Sequence, residues 1–291
     1  MENIEYVEPK TVREACALLA KSENAKVLAG GASLVVLLKN KLIFPDQLVN
    51  LKTIAGLDRI DLSPAGELCI GALCRHRDIE SSPVIRERCE ILSQAALSIA
   101  SPPIRNMGTI GGNICHAEPS ADFPPALTAL GATLKITGSK QSRTIPIAEF
   151  FSDYYENVLE PDEILTEIRI PPLPSSSGGS YLKLNKTTNS VAILGVGAVI
   201  GLDETGNCVY AGLGVGGAAS TPLAITDAAM LVGKPITSSL IETVASAAVK
   251  RCEPISNVHA TEAYRKEMVG VLTRRALTRA LEKAERTTEE S

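Results

Sequence analysis

The sequence lacks the features of a protein whose main partner is nucleic acid. Its 291 residues contain no tryptophan, aromatic residues make up 3%, and the formal net charge is −4. Binding to nucleic acid needs a basic surface that neutralises phosphates, and no basic segment interleaved with aromatic residues is present. The composition, 45% hydrophobic and 21% charged, is that of an ordinary globular protein. Nucleic acid is therefore not an expected partner.

Long hydrophobic runs are also missing. The longest apolar stretch, residues 191–202, is too short and too rich in glycine to span a bilayer. The acidic start, Met-Glu-Asn-Ile-Glu-Tyr, has no apolar segment of the kind found in a signal peptide. We therefore expect no transmembrane segment and a cytoplasmic location.

Cysteines with the spacing of metal ligands are absent. The seven cysteines are scattered, and no two of them form a Cys-x-x-Cys motif. An odd, scattered set fits a reducing compartment and gives no framework for structural zinc or for an iron–sulfur cluster. We expect small buried thiols and no metal site in this chain. Cys115 alone lies beside a candidate functional segment.

Two glycine-rich segments are the most informative feature that is present. The first glycine loop, residues 27–34, reads Val-Leu-Ala-Gly-Gly-Ala-Ser-Leu. The second glycine loop, residues 105–114, reads Arg-Asn-Met-Gly-Thr-Ile-Gly-Gly-Asn-Ile. The first lies between a predicted strand and a predicted helix capped by Ser33, the context in which exposed N–H groups bind a pyrophosphate. Neither is a Walker A or a Gly-x-Gly-x-x-Gly motif, so a tight turn that needs positive φ stays an alternative for each.

The order of predicted elements indicates two domains. Residues 171–180, Pro-Pro-Leu-Pro-Ser-Ser-Ser-Gly-Gly-Ser, have the composition of a linker. We therefore predict a first domain over 1–175 and a second domain over 176–291. Further predicted elements are a helix capped by Thr11, helices at 82–88 and 91–100, strands at 181–186, 191–202 and 208–214, and a last helix at 262–285.

Together the two loops resemble the FAD-binding medium subunit of the xanthine dehydrogenase and carbon monoxide dehydrogenase family, which are molybdenum-containing hydroxylases. Further similar segments follow at the spacing of the family, so that the resemblance covers essentially the whole chain. These segments are Ala-Asp-Phe-Pro-Pro-Ala-Leu at 121–127, Pro-Asp-Glu-Ile-Leu at 161–165, Tyr-Leu-Lys at 181–183, Glu-Ala-Tyr-Arg at 262–265 and Val-Leu-Thr-Arg-Arg-Ala-Leu at 271–277.

The resemblance implies an α+β fold. A two-subdomain FAD-binding domain of the vanillyl-alcohol-oxidase/p-cresol methylhydroxylase type would be followed by a C-terminal three-stranded sheet with helices. FAD would lie extended, with its pyrophosphate between the two glycine loops. The residues that the resemblance places at the cofactor are Val27, Leu28, Ala29, Gly30, Gly31, Ala32, Ser33, Leu34, Ile99, Thr109, Ile110, Gly111, Gly112, Asn113, Asp122, Leu165 and Lys183.

Individual positions carry different expectations. Asp122 would accept a hydrogen bond from a ribitol or ribose hydroxyl, and a solvent-facing or helix-capping aspartate is the alternative. Ile99 is placed by spacing alone, near the flavin or the adenine. A bulky residue at Gly111 or Gly112 is expected to abolish flavin retention while leaving the fold largely intact.

Three positions depart from the family pattern. Ala32 stands where members often have His, Gln or Thr, Glu118 where aspartate is usual, and Asn189-Ser190 where members often have Arg and Asp. Fewer carboxylates at the flavin edge would alter its potential or the approach of an acceptor. We expect backbone donors of the loops to carry most of the pyrophosphate contact, so that FAD binding is retained. His116 could tune the flavin edge or be a polar surface residue.

The resemblance also implies a role in electron transfer. A small partner subunit would carry [2Fe–2S] clusters and a large partner subunit the molybdopterin that oxidises the substrate, in a dimer of heterotrimers. This chain would take electrons from the clusters and pass them through FAD to a terminal acceptor, with no catalytic residue of its own. The alternatives are a stand-alone flavin oxidoreductase of the same fold, which would need a substrate pocket with a catalytic base, and a scaffold without a cofactor.

Overall fold

The computed structural model, which describes residues 4–187 and 189–289, begins with a small parallel sheet. Its elements in chain order are β1 (Glu5–Val7), α1 (Val12–Leu19), β2 (Ala25–Leu28), α2 (Leu34–Lys39) and β3 (Gln47–Asn50). The strands are parallel in the order β1-β3-β2. As predicted, α1 is capped by Thr11, whose hydroxyl accepts the N–H of Glu14 at 3.1 Å. The buried side of α1 joins one apolar cluster with Val49 of β3.

A five-stranded antiparallel sheet with helices forms the second subdomain. The strand order is β4-β5-β10-β6-β7, and a separate hairpin joins β8 to β9. The strands are β4 (Ile60–Leu62), β5 (Leu68–Gly71), β6 (Thr133–Thr137), β7 (Ser142–Pro146), β8 (Phe151–Asp153), β9 (Glu156–Asn157) and β10 (Ile164–Ile170). The helices are α3 (His76–Ser81), α4 (Pro83–Ser98), α5 (Pro102–Met107), α6 (Ile110–His116) and α7 (Phe123–Ala129).

The segment α4 consists of two helices that meet at a kink, in agreement with the predicted helices at 82–88 and 91–100. The kink lies at Cys89, whose φ of −155° and ψ of 65° are not helical. Apolar residues on both sides of the kink, among them Ile85 and Leu92, enter the same core. The segment ends at Ser98, so Ile99 lies just beyond its last turn.

The C-terminal domain is an antiparallel sheet packed against helices. Its elements are β11 (Ser176–Leu184), β12 (Leu194–Leu202), β13 (Cys208–Gly216), β14 (Leu223–Ala224), α8 (Ser238–Arg251) and α9 (Glu262–Glu289). The three predicted strands are present, and the two-residue strand β14 extends the sheet. Residues 176–180 pair with β12 as part of β11, so the linker prediction is wrong for the second half of 171–180. No helix in the described part of the chain is both long and apolar enough to cross a bilayer.

The glycines of β12 and β13 explain how the two domains meet. A Cβ built on Gly197 would lie 2.7 Å, and one on Gly214 only 2.3 Å, from the carbonyl oxygen of Pro125 in α7. Only glycine permits so close an approach of a helix backbone to a sheet. On its other side the sheet packs against α9, which leaves every residue of β12 buried. The glycine-rich stretch is therefore the central strand of a sheet covered on both faces.

Candidate functional site

The two glycine loops lie in direct contact. A Cβ built on Gly30 would come within 2.0 Å of the carbonyl oxygen of Met107, and one on Gly112 would lie 4.0 Å from the Cβ of Ala29. Residues separated by about 80 positions in the sequence thus face each other across one narrow gap. The first loop is placed there by the end of β2 and the second by the junction of α5 and α6.

The first loop offers free backbone donors. The N–H groups of Gly31, Ala32 and Ser33 form no hydrogen bond within residues 4–187 and 189–289. Gly31 has φ +81°, a conformation that favours glycine, and it turns the chain from β2 into α2. Ser33 is the N-cap residue of α2, as predicted, but its side chain makes no capping bond and its exposed hydroxyl stays available. Such a group of donors suits an anion.

Three backbone N–H groups of the second loop already donate to acceptors within the protein. The Ile110 N–H donates to Cys74 at 2.9 Å, the Gly111 N–H donates to Ala72 at 2.9 Å, and the Gly112 N–H donates to the Thr109 hydroxyl at 3.1 Å. These three N–H groups are engaged within the protein, whereas the Thr109 N–H donates to no residue in the described part of the chain. That backbone N–H groups of both loops bind pyrophosphate stays a prediction for this loop. Its other groups for a ligand are the Thr109 hydroxyl and the carboxamide of Asn113.

Asn113 and the two adjacent glycines of the second loop differ in their surroundings. The buried Oδ1 of Asn113 has no hydrogen-bond partner within the described residues. A Cβ on Gly111 would meet the Cβ and carbonyl oxygen of Ala72 at 2.6 and 2.7 Å, so this glycine is required for packing. Gly112 is exposed and faces the first loop. A substitution of Gly112 therefore disturbs the fold less than one of Gly111, because its Cβ would meet the Thr109 hydroxyl at 2.9 Å and no neighbouring backbone.

Asp122 and Lys183 form a second group of predicted site residues. The Tyr181 hydroxyl donates to Asp122 Oδ1 at 2.7 Å, and Lys183 Nζ donates to Asp122 Oδ2 at 3.0 Å and to the Ser98 carbonyl at 2.9 Å. Burial raises the pKa of the Asp122 carboxyl, and the Lys183 ammonium and the Tyr181 hydroxyl oppose that rise. The solvent-facing alternative is wrong, because Asp122 belongs to a buried ion pair. Asp122 does occupy the N-cap position of α7, although its side chain makes no capping bond.

Buried aromatic packing connects the two groups. The backbone N–H of His76 donates to the Gly108 carbonyl at 3.0 Å. The imidazole ring of His76 packs edge-on against Phe123, with ring centroids 5.3 Å apart. Phe123 directly follows Asp122. Burial and the nearby charge of Arg105 lower the pKa of His76 to about 4. Leu165 is buried on β10, against which α6 packs.

Arg105 is a site residue to which no role was assigned from the sequence. Its buried guanidinium donates to Glu80 Oε2 at 2.9 Å and to the carbonyls of Ile99 and Ala100 at 3.0 and 3.2 Å. Ala100 has φ +39°, so these bonds hold a strained turn. The sequence signal for this role was the arginine at the start of the second loop. Its partner Glu80 lies 25 residues earlier in the sequence, so local spacing does not reveal the pair.

Of the positions that depart from the family pattern, Ala32 belongs to the first loop, whereas Glu118 and Asn189 lie outside both loops. Glu118 accepts a short hydrogen bond from the Tyr155 hydroxyl. The half-buried His116 ring lies 5.4 Å from the ring of Tyr155, which is itself 54% exposed, so both interpretations of His116 stay predictions. Asn189 has φ +68° in a turn next to position 188, which lies outside the described residues. Burial raises the pKa of Cys115 to about 12, so it is a poor nucleophile.

The fold and the paired loops define a flavoprotein of the class expected from the resemblance, and comparison with known proteins shows the family. Residues 2–173 match the model of the FAD binding domain in molybdopterin dehydrogenase, and residues 179–280 match the CO dehydrogenase flavoprotein C-terminal domain. The chain therefore belongs to this family of oxidoreductase subunits. The predictions of family and of α+β fold are confirmed.

Individual relatives are similar over nearly their whole length. The 6-hydroxypseudooxynicotine dehydrogenase complex subunit alpha of Paenarthrobacter nicotinovorans is 35% identical over 99% of this chain and 97% of its own length. The carbon monoxide dehydrogenase medium chain of Afipia carboxidovorans is 34% identical over 97% and 98%. A structure of carbon monoxide dehydrogenase from Hydrogenophaga pseudoflava superimposes with a TM-score of 0.93, 34% identity, and coverage of 97% and 98%.

Proposed function

We propose that this chain is the FAD-binding electron-transfer subunit of a molybdenum-containing hydroxylase or dehydrogenase complex. It takes electrons from [2Fe–2S] clusters on a small partner subunit and passes them through FAD to a terminal acceptor. The large partner subunit carries the molybdopterin. The observation that supports this role best is the row of free N–H groups at Gly31, Ala32 and Ser33, in a first loop whose Ala29 lies beside the exposed Gly112 of the second loop.

The residues present fit an FAD pyrophosphate between the loops. The first loop supplies backbone N–H groups and the Ser33 hydroxyl, and the second loop supplies the side chains of Thr109 and Asn113. The unpartnered Asn113 Oδ1 is an acceptor, so it fits a hydroxyl of the ligand and not a phosphate oxygen. Remaining contacts are assigned to Val27, Leu28, Ala29, Gly30, Leu34, Ile99, Ile110, Gly111, Asp122, Leu165 and Lys183. FAD supplies reversible electron carriage when bound, and the chain supplies its position and electrostatic surroundings.

The same proposal includes the domain boundaries, the assembly and the cellular location. The chain divides into a FAD-binding domain over 1–175, with subdomains of about 1–55 and 56–175, and a C-terminal domain over 176–291. The assembly is a dimer of heterotrimers located in the cytoplasm. Support comes from the ranges of the two family matches and from relatives described as medium chains or complex subunits. These names do not favour a stand-alone oxidoreductase or a cofactor-free scaffold.

A substitution at Gly112 tests the proposal. In Gly112→Val the new side chain enters the space between the loops, where its Cβ lies 2.9 Å from the Thr109 hydroxyl. We expect this variant to lose FAD, measured by the flavin absorbance near ~450 nm per chain, with an unchanged far-UV circular dichroism spectrum. Gly112→Ala, which adds one methyl group, is the matched control and should retain most of the cofactor. FAD at the wild-type level in the valine variant would refute the assignment.

A further inference from the structure

The α4–α5 turn, defined as residues 99–101, is held by a buried ion pair. Arg105 donates through Nη1 to the carbonyls of Ile99 and Ala100 at 3.0 and 3.2 Å, and through Nε to Glu80 Oε2 at 2.9 Å. The side chains of Arg105 and Glu80 are only 9% and 10% exposed. A buried charge is tolerated only where it is paired and hydrogen-bonded, so the guanidinium and the two carbonyls it binds keep one arrangement.

Glu80 is itself fixed by further hydrogen bonds. Its Oε1 accepts from Arg77 Nη1 at 2.8 Å. Its backbone carbonyl accepts from Arg86 Nε at 3.2 Å and from the Ser93 hydroxyl at 2.9 Å. Arg86 and Ser93 lie on α4, the segment that leads into the turn. The position of Arg105 is therefore set by α3 and α4 together.

The conformation of Ala100 decides where the N–H groups of the turn point. Successive carbonyls of an extended chain point to opposite sides, but those of Ile99 and Ala100 meet at one nitrogen of Arg105, because Ala100 has φ +39°. In a trans peptide the N–H points away from the carbonyl of the same plane. The N–H groups of Ala100 and Ser101 therefore both point away from Arg105. Neither of them donates to an acceptor in the described part of the chain, and adjacent N–H groups of this kind suit an electron-rich oxygen.

The turn adjoins both groups of predicted cofactor residues. On one side, Lys183 Nζ donates to the carbonyl of Ser98, the residue directly before the turn. On the other side, the six-residue helix α5, about 9 Å long, leads from the turn to Gly108 and Thr109 of the second loop. Free donors at this place are therefore within the region assigned to the cofactor.

We propose that Arg105 is a positioning residue that sets the reduction potential of the flavin through the α4–α5 turn. This inference rests on the proposed function, because it requires FAD in the site. The N–H groups of Ala100 and Ser101 donate to a carbonyl oxygen of the flavin ring. The ring becomes more electron-rich on reduction, so donors fixed beside it stabilise the reduced form more than the oxidised form. Arg105 and Glu80 hold these donors in place without touching the flavin.

The first test is amide hydrogen exchange in the wild-type full-length chain. The Ala100 and Ser101 amides have no acceptor within the protein, so they should exchange rapidly when FAD is absent. With FAD bound, we expect both to exchange at least about tenfold more slowly. NMR of the nitrogen-15-labelled chain measures each amide separately. Unchanged exchange at both amides in the FAD-loaded chain would overturn the proposal.

The second test is the two-electron midpoint potential of bound FAD. Arg105→Lys keeps the charge but loses the planar fork that binds Glu80 and both carbonyls at once. We expect the preference of the site for reduced over oxidised FAD to fall about tenfold, which for a two-electron couple lowers the potential by about 30 mV. Glu80→Gln keeps the shape of the side chain and removes a negative charge. A fall in the potential of this variant shows an effect through the turn, whereas a direct effect of charge on the flavin would raise the potential.

Arg143→Lys is the matched control, because Arg143 also bridges a glutamate and a backbone carbonyl. It donates to Glu163 at 2.7 and 2.9 Å and to the Val158 carbonyl at 2.7 Å, on the edge strand β7. We expect its flavin potential to equal that of the wild type. A wild-type potential in both Arg105→Lys and Glu80→Gln, or a raised potential in Glu80→Gln, would overturn the proposal. If Arg105→Lys does not fold, Glu80→Gln and the exchange rates still decide. A wild-type chain that binds no FAD would instead refute the proposed function itself.

Discussion

At the residue scale, Thr109 has two tasks in one side chain. Its hydroxyl accepts the Gly112 N–H at the start of α6, and its own proton stays free to donate into the gap between the loops. Thr109→Val keeps the shape of the side chain but removes both bonds. We expect it to destabilise the FAD-free chain by about 1 kcal/mol, as for loss of a helix cap, and to weaken FAD binding.

Urea unfolding and a fluorescence titration with FAD measure the two effects separately. Thr109→Ser keeps the hydroxyl and should behave as the wild type in both. A valine variant with unchanged stability and unchanged affinity would contradict this assignment of the Thr109 hydroxyl.

The lowered pKa of His76 leads us to expect that the free energy of unfolding depends on pH. Its pKa is lowered to about 4 in the folded chain, whereas an ordinary histidine titrates near ~6.5. As the pH falls below the ordinary value, the unfolded chain takes up a proton that the folded chain does not, so stability present above pH ~6.5 is lost toward pH 4. In His76→Asn the unfolding midpoint should fall less steeply over this range. The exposed His259→Asn is the control, and equal slopes in both variants would exclude His76 as the source.

The glycine loops themselves were recognisable from the sequence, because their motifs depend on short-range spacing. Which backbone N–H groups of the two loops stay free was not recognisable from the sequence. The N–H groups of Ile110 and Gly111 are used by carbonyls of Cys74 and Ala72, more than 35 positions earlier. No local pattern reveals such partners, so both loops looked equally suited to bind an anion.

At the scale of elements, a buried network of hydrogen bonds and one ion pair connects α4, α7 and β11. Asp122 precedes α7, Lys183 and Tyr181 lie on β11, and the Ser98 carbonyl ends α4. Lys183→Met leaves the Asp122 carboxylate buried without its cation, which should cost about 3–5 kcal/mol of unfolding free energy near neutral pH. Without the cation, the pKa of Asp122 rises further, so its neutral form is populated at higher pH.

The loss in Lys183→Met should therefore be smaller at pH 5 than at pH 8, because a carboxyl with a raised pKa destabilises the fold as the pH rises through that value. Urea unfolding at both pH values measures this. Asp122→Asn in the same chain removes the unpaired charge and should restore part of the stability. A double variant as unstable as the single variant would show that the ion pair is not the cause.

The elements show where sequence signals fail at this scale. The capping pattern at Thr11 identified α1 because a cap is a local bond. The Ser-Ser-Ser-Gly-Gly-Ser stretch looked like a linker, yet residues 176–180 pair with β12. There Gly178 is needed because a Cβ would lie 2.1 Å from the Ala280 carbonyl of α9. A strand whose glycines are required by close tertiary contacts has the same composition as a flexible linker. Composition alone therefore cannot distinguish the two.

At the scale of the whole molecule, side chains from the two domains converge on one turn that is predicted to contact the cofactor. The turn at Ile99–Ala100 is held from one side by Arg105 of the FAD-binding domain and approached from the other by Lys183 of the C-terminal domain, through Ser98. Both guanidinium and ammonium are buried and paired with carboxylates. The position of the turn therefore depends on the docking of the two domains, and cofactor binding should be linked to the stability of the whole chain.

This linkage gives a thermodynamic prediction. A ligand that binds only the folded chain stabilises it by about 2.7 kcal/mol at a free concentration 100 times its Kd, which for a chain of this size raises Tm by on the order of 5 °C. We expect FAD to raise the Tm of the FAD-free chain by such an amount, and Gly112→Val to show no rise at the same FAD concentration. AMP, which lacks the pyrophosphate and the flavin, should produce a much smaller rise in the wild type. An equal rise in the valine variant would mean that FAD stabilises the fold from a site other than the gap between the two loops.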